Sequence, residues 1–440
     1  MPFIKCCIRG GLLMLLAGCL PAEANTAQDV LTSEPLATTT PLALVQAETA
    51  TPTPTLTPVP TEAGPTRLSI WWPEPLAPLD NGDAVDVLSE QITAFQTAQG
   101  NVVVDLRWKN EQGPGGILST LRSASPVAPG ALPDLTLMRR SDLLQAVQAQ
   151  LVYPLDDKIS TAIMGDLYNA AVALGTVEGR LYGLPYALEV QHMAYRADAE
   201  VPSRWRYSDV LAAEDFTMAF PSAQPSGMNS LFLTQYLTAG GTPPNEGAMV
   251  ISEEALSATL AFYEDAVNRG VIDPVVFNYT SPDDYWEMLL NGGVTAGLVD
   301  STRYLNRTQQ GDELAFGPVP TSEGALTGQM NGWMWVLTTP NAERQALAAR
   351  FLNWMLYATR QGDYTRTVWM LPSQRTALQH WPESEYIAFA RSLLNNATLP
   401  LSDSEGGTIA RAVESALVAV ISRESSAEEA TRALINQIDG

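Results

Sequence analysis

Beyond residue 66, apolar and polar positions follow two periods. Apolar runs at 68–72, 102–108 and 134–138, the second rich in valine, predict strands. Between them lie stripes at helical spacing. Val87, Leu88, Ile92 and Phe95 form one that stops at Gly100, and a second helix follows the turn at 113–116 and runs to about Ala124. A third helix is expected over 141–150 with Ser141 as its N-cap. This alternation of strand and helix builds a parallel sheet covered on both faces.

Farther along, residues 252–269 predict a long helix with Glu253 and Glu254 in its first turn and Gly270 just past its end. Ser281, Pro282 and Asp284 start another helix, which Gly292 and Gly293 stop. The apolar runs 294–299, 314–319 and 332–337 are bounded by turn residues and predict buried strands. From about Glu383 the pattern is helical, with Ile409, Val413, Leu417 and Val420 on one face. The fold class is α/β, and the body is long enough for two lobes.

In open parallel sheets ligands bind beyond the carboxyl ends of the strands. That rule selects Trp71, Trp72 and Glu74 after the first strand, Asn110 and Glu111 after the second, and Arg139 and Arg140 after the third. Aromatic faces, carboxylates and a guanidinium together suit a sugar, which offers a flat apolar face and a ring of hydroxyls. Either member of the Trp71/Trp72 and Arg139/Arg140 pairs can face such a cleft. Trp333 and Trp335 are read as pointing to opposite faces of their strand, so at most one of them faces the cleft. Tyr186, held behind Gly183, Leu184 and Pro185, either reaches a ligand or caps a lobe edge, and Glu189 and Asp300 either accept ligand hydroxyls or are solvated surface acids. Arg375 either reads the ligand or ties down its own loop.

Charge and composition narrow the function classes. The formal net charge is −23, with no basic run, which argues against binding a phosphate backbone. His192 and His380, the only histidines, have no ligand-spaced partner, so neither a metal site nor a Ser-His-Asp arrangement is expected, and no cofactor. Asp80, Asn81, Gly82, Asp83 and Asp86 read as a turn feeding the first helix, because Gly82 and Ala84 break the oxygen spacing of a calcium loop. The cysteines are Cys6, Cys7 and Cys19, so the body carries no disulfide.

The amino terminus has the layout of a secretory signal over 1–18: Lys5 and Arg9, a short apolar stretch, and small residues before Cys19. Leu16-Ala-Gly-Cys19 resembles the lipobox of bacterial lipoproteins, in which the cysteine is lipidated. A Thr- and Pro-rich tract follows, so that 19–66 reads as a tether. As a flexible chain it spans roughly 40 Å, and fully extended about 140 Å.

An ordered set of runs then carries a family resemblance: Arg67-Leu-Ser-Ile-Trp-Trp, Ala131-Leu-Pro-Asp-Leu-Thr-Leu, Leu151-Val-Tyr-Pro-Leu-Asp-Asp157, Gly179-Arg-Leu-Tyr-Gly-Leu-Pro-Tyr186 with Met193-Ala-Tyr-Arg196, Asn331-Gly-Trp-Met-Trp335 and Leu371-Pro-Ser-Gln-Arg375. Together they resemble the family 1 extracellular solute-binding proteins of ABC importers, the maltose-binding-like group. The resemblance implies a two-lobe periplasmic-binding-protein-like fold, each lobe a mostly parallel sheet flanked by helices, with 67–188 and 320–370 in one lobe and 189–319 and 371–440 in the other. Crossovers near 187–191, 317–320 and 369–372 act as a hinge that closes on ligand. It implies ligand contacts at Trp72, Glu74, Arg139, Tyr186, Glu189, Asp300, Trp333 and Arg375. It further implies a monomeric, non-enzymatic receptor, anchored by lipid on the outer face of the cytoplasmic membrane, that passes a mono- or oligosaccharide to ABC permease subunits. Two alternatives stand beside it: an exported glycoside hydrolase, which needs paired carboxylates across the sugar, and a two-lobe sensor that does not transport.

Overall fold

The computed structural model describes residues 64–76, 81–199, 203–223, 228–242, 250–401 and 403–439. All of them belong to one unit, residues 63–440. The signal over 1–18, the lipidation site Cys19, nearly all of the 19–66 tether and Asp80 lie outside the described residues.

The three leading strands are β1 (Thr66–Pro73), β2 (Val102–Lys109) and β3 (Leu135–Met138), with β1 parallel to both neighbours. Leu68, Ile70 and Trp72 point one way into a buried cluster, and Trp71 points the other way with Lys109 Nζ 4.5 Å from its ring centroid. Helix α1 (Gly82–Gln99) buries Leu88, Ile92 and Phe95. Asn81 caps it by accepting from Ala84 N at 3.1 Å, and Gly100 ends it at φ +76°. Helices α2 (Ile117–Ala124) and α3 (Arg140–Gln148) cover the opposite face with Leu121, Leu143 and Ala146. The expected N-cap Ser141 lies inside α3. Arg139 holds the cap position in extended backbone and makes no capping bond, because a guanidinium has only donors and cannot accept from a backbone N–H.

After α4 (Asn169–Gly175) comes the long strand β4 (Gly183–Arg196), which organises everything beyond it. Beyond a short helix over Tyr207–Ala212, the second half contains a two-residue strand, β5 (Met218–Ala219), followed by α5 (Ser230–Thr238) and α6 (Glu253–Asn268). Then come α7 (Asp283–Leu290), β6 (Ala296–Asp300), α8 (Ser301–Gln309), β7 (Leu314–Gly317) and β8 (Met330–Leu337). The chain continues through α9 (Ala342–Met355), α10 (Ala358–Thr367), β9 (Leu371–Pro372), α11 (Glu385–Asn395), α12 (Asp403–Ile421) and α13 (Ala427–Asp439). Local signals account for several ends. Ser252 caps α6 by accepting from Ala255 N at 3.3 Å, and Gly270 follows at φ +77°. Asp284 Oδ2 accepts from Thr280 N and Ser281 N, and α7 starts at Asp283, slightly later than expected.

Strand β4 has two sets of partners. Residues from Gly183 to Val190 pair antiparallel with β8, whereas Gln191 to Arg196 pair antiparallel with β6 and β7. The order β2-β1-β3-β8-β4 makes one half-sheet, and β4-β6-β5 with β7 makes the other. The result is a two-lobe α/β fold whose lobes share a strand. Strand β9 pairs with Leu188 and Ala187, so the expected division between residues 370 and 371 falls inside the first half-sheet.

The assignment of Trp333 and Trp335 to opposite faces is corrected. Side chains two residues apart on a strand share a face. Both rings lie in the cluster of α1, α9 and α10, while Met334 between them belongs to the other cluster. A bulge occurs here: Trp333 pairs with Ala187 and Met334 with Pro185, leaving Tyr186 as the extra residue.

The close approach of α4 to β4 depends on Gly175, where an added Cβ would stand 1.8 Å from Gly183 O. Neither backbone can yield without breaking the pairing of β4. Gly175→Ala is expected to destabilise the body by about 3 kcal/mol or more, read as a lower denaturant midpoint. An unchanged midpoint would contradict this packing.

Candidate functional site

The carboxyl ends of β1, β2 and β3 do gather the polar residues expected there. With its amide nitrogen turned toward the carboxylate, Asn110 donates to Glu74 Oε2 at 2.7 Å. Next to it, Arg139 Nε lies 3.2 Å from Glu111 Oε1, and Arg139 Nη1 donates to Glu189. The same guanidinium stacks 4.8 Å from the centroid of Trp333. Asp300, at the end of β6, joins the group from the second lobe through its charge interactions with Glu189 and Arg139. Register explains the convergence. Glu189 stands opposite Asn331 and Gln191 opposite Asp300, so the switch of partners along β4 brings residues of both half-sheets to one place.

Three carboxylates thus surround one cation. Burial, and then Glu189, push Asp300 up to about 6, although its Oδ1 still caps α8 by accepting from Arg303 N at 2.8 Å. Burial raises Glu111 as well, against the pull of Arg139. Desolvation opposes the charge on Arg139, but Glu189 and Glu111 outweigh it and keep the guanidinium protonated.

Other expected contacts go elsewhere. Trp72 and Tyr186 are fully buried with Trp335 and Tyr364, at ring separations of 5.2 to 6.3 Å. Their rings are core in this structure. Trp333 is also buried, with Arg139 over its face. Arg375 donates to the carbonyls of Leu167 and Asp166 and lies 5.0 Å from the Tyr168 ring, so it secures its own loop. The structure therefore unites Arg139, Glu189, Asp300 and Trp333, keeps Glu74 on the same rim, and withdraws Trp72, Tyr186 and Arg375.

Helix α8 leads from this cluster to a cavity of about 1030 Å³. One wall comes from the start of α1 and the end of α10, which pack on the first lobe. The other comes from α8 and α11, which pack on the second. Four aromatic residues line it: Tyr304, Trp369, Trp381 and Tyr386. Uncharged polar groups such as Asn81, Asn306, Thr308 and Ser384 lie between them, with Asp83 and Arg366 as the only charged lining residues among those described.

The tyrosine wall is braced from behind. Tyr304 and Tyr386 stack at 4.5 Å, and Tyr386 Oη lies 3.1 Å from His192 Nε2. His192 Nδ1 is 3.0 Å from Met193 O; a carbonyl only accepts, so Nδ1 carries the proton and Nε2 accepts from Tyr386. Burial lowers His192 to about 4, so the ring is neutral and the arrangement holds at ordinary pH. Trp369, Trp381 and Tyr386 were not singled out from the sequence. Trp369 stood there only as the first residue of the expected crossover 369–372.

Two α/β lobes sharing a strand, with a polar and aromatic cavity between them, define a protein built to hold a solute. Known proteins bear this out. Residues 90–388 match the family model of the bacterial extracellular solute-binding proteins, and the chain belongs to that family. No curated protein matches the sequence significantly. Among solved structures, the cyclic alpha-maltosyl-1,6-maltose binding protein of Arthrobacter globiformis is similar, with a TM-score of 0.68 at 16% identity over 84% of this chain and 97% of that one. The sugar-binding protein MalE of Xanthomonas citri gives 0.62 at 15% identity over 85% and 96%. A receptor of Streptomyces glaucescens, solved unliganded and with acarbose, gives 0.59 at 18% over 85% and 97%. At these identities the structural likeness establishes the fold.

The raised pKa of Asp300 has a defined sign. A carboxyl whose folded pKa exceeds its unfolded value near 3.8 contributes stability that is full below 3.8 and lost as pH rises through about 6. Asp300→Asn keeps the capping oxygen and removes the ionisation. Its stability relative to the unmodified chain should rise by up to about 3 kcal/mol between pH 3.5 and pH 7.5. Parallel stability curves would show that Asp300 is not held among the other carboxylates.

Proposed function

We propose that the chain is a lipid-tethered receptor that captures a neutral carbohydrate in the cavity between α1 and α10 on one side and α8 and α11 on the other, and delivers it to the permease of an ABC importer. The observation that carries this reading is the cavity itself, walled by both lobes and lined by aromatic rings with uncharged hydrogen-bonding groups. Rings take the apolar faces of a sugar, and amides and hydroxyls its hydroxyl groups. One carboxylate and one guanidinium in the lining leave little net charge, which suits a neutral ligand. The volume stands at the upper end of small-molecule sites, about 300–1,000 Å³, which favours an oligosaccharide over a single sugar. Structurally similar proteins named for binding maltosaccharides and acarbose support the same class.

The mechanism is a population shift. A ligand touching both walls binds the closed arrangement better than the open one, and only that difference moves the equilibrium. The closed form then presents a surface spanning both lobes to the permease. Cys19 is the lipid anchor, and the Thr- and Pro-rich tract supplies reach from the outer face of the cytoplasmic membrane. The carboxylates gathered near Arg139 are paired with it or cap a helix, which supports holding a solute rather than cleaving it.

Thermal shift and calorimetry of the purified chain against neutral oligosaccharides, with glucose as the single-sugar comparator, test the reading. Dissociation constants of roughly micromolar or tighter for at least one oligosaccharide are expected, with no release of nitrophenol from chromogenic glycosides. Absence of binding across the panel, or catalytic release, would overturn it.

A further inference from the structure

Resting on the carbohydrate reading, we infer that Trp369 is the stacking platform contributed by the first lobe and the residue that sets the preference for sugars with a flat apolar face. Helix α10 closes with two bonds, Met370 N to Thr365 O at 3.0 Å and Trp369 N to Arg366 O at 3.3 Å. This pair defines a helix stop whose left-handed residue is usually glycine. Trp369 occupies that place at φ +55°. The other non-glycine residues with positive φ among those described are Gln150, Asp157, Glu178, Asp215 and Arg423, all polar. An indole there is disfavoured by the crowding of Cβ against the following carbonyl, so the ring is retained for something other than ending the helix.

The surroundings of the ring indicate what that is. Seven of the chain's ten tryptophans are buried, and Trp108, Trp354 and Trp369 are half-exposed. Trp354 is engaged, donating to Gln91 O at 3.2 Å with Arg360 lying 3.5 Å from its ring centroid. Trp369 has no ring or cation partner among the described residues, and it lines the cavity. From the second lobe the same cavity receives the Tyr304 and Tyr386 pair, braced by His192. A partnerless indole on one wall and a fixed tyrosine stack on the other clamp a pyranose when the lobes approach. Only two residues separate Trp369 from Pro372, which pairs with β4 at Ala187, so the platform is fixed to the shared strand.

The experiment compares the unmodified chain with Trp369→Gly and Trp369→Phe. Oligosaccharides of the panel that bind the unmodified chain serve as probes, with maltotetraose first. Trp369→Gly should bind at least about tenfold more weakly, and Trp369→Phe, which keeps a flat ring, within about threefold of the unmodified chain. The ligand-free melting temperature of Trp369→Gly should stay within about 2 °C, because relief of the left-handed backbone offsets the modest packing that a half-exposed ring supplies. Saturating sugar should change the indole emission of the unmodified chain, and that change should shrink in Trp369→Phe. Equal affinity in Trp369→Gly, or an emission change identical in Trp369→Phe, overturns the assignment. If the unmodified chain binds no sugar at all, the carbohydrate reading itself fails and the assignment falls with it.

Discussion

Everything in the body depends on β4 remaining one continuous strand while its partners change. At Val190 it still pairs with β8, and at Gln191 it pairs with β6. The change is held by local bonds: Val190 N donates to Ser301 Oγ at 3.1 Å, and Gln191 N to Gln329 O at 2.9 Å. Side chains on a strand alternate, so a slip of one residue would send every side chain to the opposite face. Glu189 would leave Arg139, His192 would leave Tyr386, and the tyrosine wall would lose its brace. The register of one strand thus positions the charged cluster and the aromatic wall together.

Charge and aromatic mass are divided by depth. Trp72, Tyr186, Trp335 and Tyr364 form a dry aromatic block on the first lobe, with Tyr364 Oη donating to Leu76 O at 2.6 Å. Gln361 Nε2 donates to Tyr186 O and Ser373 Oγ, and Ser373 Oγ donates to Pro185 O, tying α10 and the segment after it to β4. That block stiffens the wall without touching the cavity, as sites on rigid supports require. The rings of Tyr304, Trp369, Trp381 and Tyr386 and neutral amides are left for the cavity. Arg139 offsets part of the acidic charge where both lobes meet, so neither lobe carries an isolated buried carboxylate there.

The elements readable from sequence were those whose causes are local. The valine-rich run of β2, the Leu88, Ile92 and Phe95 stripe of α1 and the Ser252 cap with Gly270 at the two ends of α6 each carry their own signal, and the rim at Glu74, Asn110, Glu111 and Arg139 followed from parallel strands. Strand β4 was read only as a crossover near 187–191, because it is buried along most of its length and shows no alternation. The roles of Trp72 and Tyr186 turned on which face became core, a question settled by pairing across more than a hundred residues of sequence. Trp369 and Tyr386 gained their place from helices that meet only in the folded chain.

The central claim is that two halves hinged on one strand close over a solute. The chain's cysteines all fall within its first 19 residues, so once these are replaced by serine, labels at Glu90 on α1 and Gln310 just beyond α8 report on the body alone. Pulsed electron–electron resonance then gives the distance between the two halves. With a bound oligosaccharide the account predicts a shorter, narrower distance distribution than without it. An identical distribution in both conditions, with binding demonstrated on the same labelled chain, would contradict it.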